Sequence, residues 1–112
     1  MIRGDIWWVD FGEPLGSEPG WRRPAIIIQS DDFNNSNRNT TIVVPLTTNL
    51  RLADFPGNFF LSCKESKLSK DSVVVAPHIT VIDKSRLLEH VSMLSESSMK
   101  DISEGIKLVL KL

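Results

Sequence analysis

The chain has 112 residues, of which 41% are hydrophobic, so it is long enough for one domain with a modest core, which we expect to span residues 1–112. Lysine and arginine together number 13 and aspartate and glutamate 14, which excludes a generally basic nucleic-acid-binding domain and leaves room only for a local basic patch. The single cysteine, Cys63, excludes an internal disulfide and any zinc site built from several cysteines, and its apolar surroundings favour a partly buried thiol over a nucleophile.

The first half of the chain predicts three strands and a long loop. Aromatic and β-branched residues dominate DIWWVDF (residues 5–11), PAIIIQ (24–29) and TTIVVPLT (40–47), as is typical of strands. Residues 12–21, GEPLGSEPGW, hold three glycines and two prolines and predict a mobile loop, because these residues interrupt both helices and sheets. Pro45 cannot donate a hydrogen bond to a neighbouring strand, so we expect the end of the third strand to be an edge or a bulge.

The second half of the chain predicts shorter strands. A second loop at residues 49–57 is followed by short runs rich in β-branched or aromatic residues, namely NFFLSC (58–63), SVVVA (72–76), ITVID (79–83) and HVSML (90–94). Short strands at this spacing indicate a compact antiparallel barrel.

The C-terminal segment predicts one amphipathic helix, which makes the fold class mainly β with a C-terminal helix. Ser95 is placed as the N-cap of this helix. Gly105 inside the helix costs roughly 1 kcal/mol relative to alanine, so we expect close packing there against a strand or a second subunit. The apolar residues that share one helical face are Met99, Ile102, Ile106, Val109 and Leu110.

Three segments of the chain resemble the MazF/PemK toxins. RGDIWWVDFGEPLGSEPGWRRPAIIIQSD is similar to the N-terminal signature of that family, in which a strand, a loop that begins with G-S-E and ends with R-P, and an apolar strand follow one another. TTIVVPLT resembles the third strand of the family with its terminal threonine, and KDSVVVAPHITVIDKSRL resembles the segment that ends in D-K-x-R-L. Together these segments cover about half of the chain.

The resemblance implies a small SH3-like, CcdB-like antiparallel β-barrel that forms a homodimer and binds RNA in a groove between subunits. Arg23, directly before Pro24, matches the catalytic arginine of the family, and Thr47 matches its catalytic threonine. Asp83 and Arg86 match residues near the dimer interface, so we expect structural roles for them. The implied function is that of the toxin of a toxin–antitoxin pair, an endoribonuclease that cleaves single-stranded RNA without metal or other cofactor and is inhibited by an acidic antitoxin protein.

Arginine and threonine suit RNA cleavage without a metal. In that reaction the ribose 2′-hydroxyl attacks the adjacent phosphorus and leaves a cyclic phosphate and a 5′-hydroxyl. The planar guanidinium of Arg23 can stabilise the negative charge that builds on the phosphoryl oxygens, but it is too basic to act as a general base near neutral pH. Thr47 can donate to a non-bridging oxygen or orient the 2′-hydroxyl. Without the resemblance, Arg23 would be interpreted as a solvated loop residue and Thr47 as a residue that ends a strand.

Five further residues are candidates for RNA contacts. Trp21 fits stacking on an unpaired base, worth ~1–3 kcal/mol, as well as it fits packing beneath the loop. Arg22 and Arg38 are predicted phosphate contacts, with a surface role as the alternative for Arg22. His78 and Thr80 stand where the family often has glutamine and arginine, in a region expected to contribute to RNA reading. For His78 we favour RNA contact or a structural role and leave proton transfer open.

Two other functions compete with the nuclease. A gyrase-poisoning toxin similar to CcdB would share the fold, but that family ends in Trp-Gly-Ile, whereas this chain ends in VLKL and has all three tryptophans within its first 21 residues. A catalytically inactive RNA-binding homologue would keep the groove, although decay would be expected to erase Arg23 or Thr47. The sequence has no Gly-rich nucleotide-binding loop, serine hydrolase motif or metal-ligand cluster.

No targeting or membrane signal is present in the sequence. The N-terminus, MIRGDIWWVDF, lacks a basic stretch followed by a long apolar run, and no segment approaches ~18 continuous apolar residues. We therefore expect a soluble, cytoplasmic protein that has no membrane partner.

Overall fold

Seven antiparallel strands form one curled sheet in a computed structural model that describes all 112 residues. The strands are β1 (Asp5–Asp10), β2 (Arg22–Ile27), β3 (Thr40–Thr47), β4 (Phe59–Leu61), β5 (Ser72–Val74), β6 (Thr80–Asp83) and β7 (Leu87–Met93). They are ordered β4-β5-β3-β2-β1-β7, and β6 pairs with the first half of β3. The sheet has the shape of a half-barrel, which confirms the predicted mainly β architecture.

Three helices connect or follow the strands. Two are single turns, α1 (Asp31–Asn34) and α2 (Cys63–Ser66), and the third is the long α3 (Glu96–Leu110). The Ser95 hydroxyl accepts the backbone N–H of Ser98 at 3.2 Å, so the predicted N-cap of the C-terminal helix is confirmed. No helix combines the length and the apolar character needed to cross a membrane.

The two faces of the sheet carry separate parts of the core, because side chains alternate along each strand. On the helix face, strand residues such as Ile26 and Val44 pack with Met99 and Ile102 of α3. The opposite face, which we call the far face, is formed by another set of buried residues, namely Val9, Ala25, Ile27, Val43 and Ile82. Residues of odd number in β2 and β3 therefore point to the far face.

The position of Pro45 in the sheet differs from the prediction, because β3 is a central strand rather than an edge. One side of β3 pairs with β2, and the other side pairs with β6 as far as Val43 and with β5 from Leu46 onward. Pro45 lies at this change of partner, and its carbonyl accepts the N–H of Val75 at 3.1 Å. Its nitrogen thus faces the gap between β6 and β5, where no donor is required.

The segment around Cys63 also differs from the prediction of a continuous strand. Strand β4 ends at Leu61, and the chain turns into α2 because the Asp71 carboxylate accepts the Cys63 N–H at 2.8 Å. The same carboxylate, together with partial burial, raises the pKa of the Cys63 thiol. A raised pKa favours the thiol over the reactive thiolate, which agrees with the structural role expected for this residue.

Candidate active site

Arg23 and Thr47 lie at neighbouring strand ends, two residues beyond the last pair between β2 and β3. Strands β2 and β3 pair from Ile27–Val43 to Ala25–Pro45, and continuing this register by two residues aligns Arg23 with Thr47. Arg23 lies an even number of residues from the far-face residues of β2, and Thr47 from those of β3, so both side chains point to the far face. Both residues are half-buried. The alternation of the sheet therefore brings the two predicted catalytic side chains to one place on one face.

One hydrogen bond fixes the side chain of Arg23 and leaves most of its donors free. Its Nε donates to the carbonyl oxygen of Gly20 at 3.2 Å, and its backbone is paired with Val9 of β1. No carboxylate forms an ion pair with the guanidinium, and its terminal nitrogens have no protein acceptor. A planar cation held by one edge, with the other edge unoccupied, is suited to binding an anion in a bidentate manner.

Thr47 presents a hydroxyl whose hydrogen is also free. Its Oγ1 accepts the backbone N–H of Asn49 at 3.2 Å, as the chain leaves β3 for a turn. Because a hydroxyl has one donor and two acceptor positions, this contact occupies a lone pair and leaves the O–H group available to a ligand. The site thus offers two kinds of donor on a single face.

The loop over residues 12–21 has a closed base, which we call the loop neck. The N–H of Trp21 donates to Gly12 O at 2.6 Å, and the N–H of Phe11 donates to Trp21 O at 2.8 Å. Trp21 adopts a left-handed backbone conformation with φ of 58°, which is unfavourable for a bulky residue and is maintained here by the neck hydrogen bonds. The neck fixes the point at which β2, and with it Arg23, begins.

Arg86, in the segment between β6 and β7, forms a hydrogen bond to the residue before the loop neck. Its Nη1 donates to the carbonyl oxygen of Asp10 at 3.0 Å and lies 3.1 Å from where a Cβ on Gly12 would be. Asp83 caps the 3₁₀ turn that carries Arg86, because its carboxylate accepts the hydroxyl and backbone N–H of Ser85, and these bonds lower the pKa of Asp83. Both residues have structural roles within the chain.

His78 and Thr80 lie across a pocket from the loop. The pocket has a volume of about 350 Å³ and is lined by residues 17–19 of the loop and by residues 77–80. Thr80 is paired with Val43 of β3, which places it on the far face with the two candidate catalytic residues. His78 ends the 3₁₀ turn just before it and is half-buried.

Arg22 lies on the opposite face of the sheet from Arg23. Its guanidinium lies 5.1 Å from the ring centroid of Trp8 and 3.4 Å from the Glu89 carboxylate, in an exposed ion pair. This arrangement follows from the alternation of neighbouring residues in a strand. The structure therefore does not bring Arg22 into the same site as Arg23.

Arg38 and Trp21 occupy two further separate positions. Arg38 precedes the start of β3, and its guanidinium packs on Phe33 at 5.5 Å. Because β3 spans seven residue steps from Thr40 to Thr47, Arg38 is more than roughly 23 Å along the strand from the site. Trp21 is 63% exposed at the loop neck, so packing beneath the loop does not describe it.

His90 and the possible metal-ligating side chains are the other groups that could carry chemistry. His90, on the edge strand β7, lies 3.3 Å from Asp5 and contacts the ring of Trp7, which agrees with its interpretation as an ordinary strand residue. No group of three or more histidine, cysteine, aspartate or glutamate side chains is arranged to hold a metal ion. The loop neck and its contact with Arg86 were not predicted, and the glycine at residue 12 is their only signal in the sequence.

Comparison with known proteins gives matches along the whole chain. The family model of PemK-like, MazF-like toxins of type II toxin–antitoxin systems matches residues 2–110. Endoribonuclease MazF6 of Mycobacterium tuberculosis is 40% identical over 112 residues, which cover 100% of this chain and 98% of that protein. Endoribonuclease MazF of Staphylococcus saprophyticus is 37% identical over 112 residues, covering 100% of this chain and 92% of that protein.

Solved structures share the fold. The crystal structure of MazF from Deinococcus radiodurans superimposes with a TM-score of 0.83 at 22% identity, covering 100% of this chain and 97% of that one. A mycobacterial endoribonuclease in complex with its cognate antitoxin superimposes with a TM-score of 0.80 at 20% identity, covering 100% of this chain and 96% of that one. The curled sheet with a C-terminal helix is thus an architecture that these proteins have in common.

Proposed function

The chain belongs to the PemK-like, MazF-like family of toxins from type II toxin–antitoxin systems, and on this premise we propose that it is an endoribonuclease that cuts single-stranded RNA without a metal ion. The observation that carries the proposal is that the register of β2 and β3, continued past Ala25–Pro45, aligns Arg23 with Thr47 on the far face, each with a donor that no protein group uses. Relatives named endoribonuclease MazF support the same activity.

Arg23 supplies the electrostatic part of the mechanism. As the 2′-oxygen of the ribose bonds to phosphorus, negative charge builds on the phosphoryl oxygens, and the free edge of the guanidinium donates two parallel hydrogen bonds to them. The bond from Nε to Gly20 O holds the group in place before the substrate arrives, so little reorganisation is needed during the reaction. The products are a cyclic phosphate and a 5′-hydroxyl.

Thr47 supplies a second donor across the strand pair. With its lone pair engaged by Asn49, the hydroxyl directs its hydrogen toward a non-bridging phosphoryl oxygen. Two donors from different strands define the plane in which the phosphate lies, and so they also orient the 2′-hydroxyl for attack. This positioning explains why a threonine at the end of a strand would be part of an active site.

Single-stranded RNA is the proposed substrate, because unstacked bases expose the edges and faces that a protein can read. The exposed ring of Trp21 at the loop neck is available to stack on such a base next to the cleaved phosphate. We propose that two copies of the chain form a homodimer with the RNA groove between them. The mycobacterial relative solved with its cognate antitoxin supports inhibition by an antitoxin, which we propose to be acidic.

The test is cleavage of a defined single-stranded RNA in excess EDTA, with analysis of the product ends. We expect a cyclic phosphate and a 5′-hydroxyl, and no cleavage when the attacking ribose is replaced by deoxyribose. Activity that is lost with chelator and restored by magnesium would refute the mechanism, and activity on the deoxy substrate would refute the 2′-hydroxyl as the nucleophile.

A further inference from the structure

We propose that Arg86 is a positioning residue for RNA cleavage, which holds the guanidinium of Arg23 in its reactive orientation through the loop neck. This inference rests on the proposed ribonuclease function and adds to it a residue that acts through others. It depends on a series of hydrogen bonds that starts at Arg86 and ends at Nε of Arg23. The intermediate members are Asp10, Gly12 and the peptide group between Gly20 and Trp21.

The peptide group between Gly20 and Trp21 forms the last link to Arg23. Its carbonyl oxygen, on Gly20, accepts Nε of Arg23 at 3.2 Å, and its N–H, on Trp21, donates to Gly12 O at 2.6 Å. Because a trans peptide is planar, its C=O and N–H point in opposite directions and turn together. The oxygen that orients Arg23 is therefore fixed by the hydrogen bond to Gly12.

Gly12 is in turn held between Asp10 and Arg86. Its N–H donates to Oδ1 of Asp10 at 2.9 Å, and the backbone carbonyl of the same Asp10 accepts Nη1 of Arg86 at 3.0 Å. Gly12 has φ of 72°, and a Cβ there would lie 3.1 Å from Nη1 of Arg86. The turn at Gly12 is thus packed directly against the guanidinium, and removal of Arg86 would leave space into which the turn could move.

The position of Arg86 is set by a part of the chain that lies outside the loop. The 3₁₀ turn Lys84–Arg86 is capped by the Asp83 carboxylate and follows strand β6 of the sheet. Apart from Arg23, Arg86 is the only side chain from outside residues 10–21 that forms a hydrogen bond to that segment. Arg86 therefore connects the loop neck to the sheet at a point that the backbone pairing of β1 and β2 does not reach.

The orientation of Arg23 matters because two parallel hydrogen bonds to a phosphate need a defined plane. A displacement of a reacting or stabilising group by about 1 Å can cost about 10²-fold in rate. Without Arg86, the Gly20 carbonyl would be less firmly placed, whereas the backbone of Arg23 would stay paired with Val9. We therefore expect the loss to fall on kcat rather than on KM.

The experiment measures kcat and KM for the wild type, Arg86→Met and Arg3→Met on one defined RNA. Methionine keeps much of the length of arginine and has no donor, so Arg86→Met should lower kcat about 10-fold or more with little change in KM. Arg3→Met is a matched control that should keep both constants, because Arg3 also donates to a backbone carbonyl, Ile28 O at 3.1 Å, but lies beyond the opposite end of β1. Arg86→Lys can still donate to Asp10 O and should recover part of the rate, and it replaces Arg86→Met if that variant folds poorly.

A double-mutant cycle with Arg23→Ala identifies the path of the effect. If Arg86 acts through Arg23, Arg86→Met should change the residual rate of Arg23→Ala by less than about 2-fold. Arg86 is exposed, so direct contact with an RNA phosphate is the alternative. Additive losses in the cycle, or a loss that is confined to KM and declines as salt rises, would show such contact and overturn the inference.

Fluorine NMR of protein labelled with fluorotryptophan tests the loop neck without RNA. Trp21→Phe assigns the signal of Trp21, which should shift or broaden in Arg86→Met and stay unchanged in Arg3→Met. An unchanged Trp21 signal in Arg86→Met would overturn the inference whatever the kinetics show. Absence of cleavage by the wild type would instead overturn the proposed function itself.

Discussion

Gly105 of helix α3 touches Gly57 through backbone atoms alone, because a Cβ on Gly105 would overlap the Gly57 carbonyl oxygen. Gly57 itself has φ of 90° and lies in the turn before β4. The close packing expected from a glycine inside a helix is thus present, and the partner is a turn of the same chain. The contact fixes the helix against the end of the sheet that carries β4 and β5.

Gly105→Ala should therefore lower the free energy of unfolding by about 1–3 kcal/mol, as overpacking of a close contact does. The sign of this change in stability is informative, because helix propensity alone would make alanine more stable than glycine by about 1 kcal/mol. Urea unfolding measures the change, and Asp101→Ala on the exposed side of the same helix serves as a control that should change stability by less than about 0.5 kcal/mol. A Gly105→Ala protein as stable as the wild type would contradict the contact.

Arg23→Ala and Arg23→Lys should both reduce kcat for RNA cleavage by roughly 10²-fold or more, because an ammonium cannot reproduce the planar pair of donors. Arg22→Lys provides a matched control, since the neighbouring arginine lies on the opposite face of β2 with Glu89. We expect the control to keep a kcat close to that of the wild type. Equal losses for both arginines would place the reaction elsewhere.

Thr47→Val preserves the shape of the side chain and removes its hydroxyl, so kcat should fall by about 10-fold or more. Thr47→Ser retains the hydroxyl and should recover most of the rate. The exposed neighbour Thr48, changed to valine in the same way, should have little effect. The ratio of the Thr47→Val and Thr47→Ser rates is the decisive measurement, and a ratio near one would remove the hydroxyl from the mechanism.

Asp31 should make stability depend on pH. Hydrogen bonds from the backbone N–H of Arg3, at 2.8 Å, and from the Asn34 amide lower the pKa of Asp31. A carboxylate with a lowered pKa in the folded state stabilises the protein fully above the ordinary aspartate range, and this contribution is lost as the pH falls from that range through the lowered pKa of the folded state. The difference in unfolding free energy between wild type and Asp31→Asn should thus be larger at about pH 7 than at about pH 3, and a constant difference would contradict the assignment.

An acidic antitoxin peptide should compete with RNA for the site. The free edge of Arg23 can bind either an RNA phosphate or a carboxylate, so the peptide should raise the apparent dissociation constant of a labelled, uncleavable RNA, with an effect that declines as salt rises. Arg23→Ala should weaken both ligands. A titration at two salt concentrations measures this, and independent simultaneous binding would show that inhibition works outside the groove.

Composition predicted most of the strands, because β-branched and aromatic runs are what a half-buried sheet requires. The start of β7 at Leu87 was missed, since this edge strand is largely exposed and takes its position from pairing with β1 rather than from an apolar pattern. The role of Pro45 was missed for a related reason. Which side of β3 lacks a neighbouring donor depends on where β6 ends and β5 begins, and no local pattern encodes that.

The candidate site was predicted in part. The family pattern singled out Arg23 and Thr47, which the continued register of β2 and β3 aligns, but Arg22 and Arg38 were grouped with them as phosphate contacts. Alternation along β2 could have separated Arg22 from Arg23 from the sequence alone. The contact of Arg86 with Asp10 could not have been foreseen, because it depends on how the curled sheet brings distant segments together.

Because the base of the loop is closed, the start of β2 does not depend on the number of residues in the loop. A shift of one residue in β2 would exchange Arg22 and Arg23 between the two faces of the sheet. Because the hydrogen bonds from Trp21 N–H to Gly12 O and from Phe11 N–H to Trp21 O close the loop before β2 begins, residues inside it can be added, removed or replaced without such a shift. The residues inside the loop can therefore diverge, or be exchanged for those of a relative, while Arg23 stays on the far face.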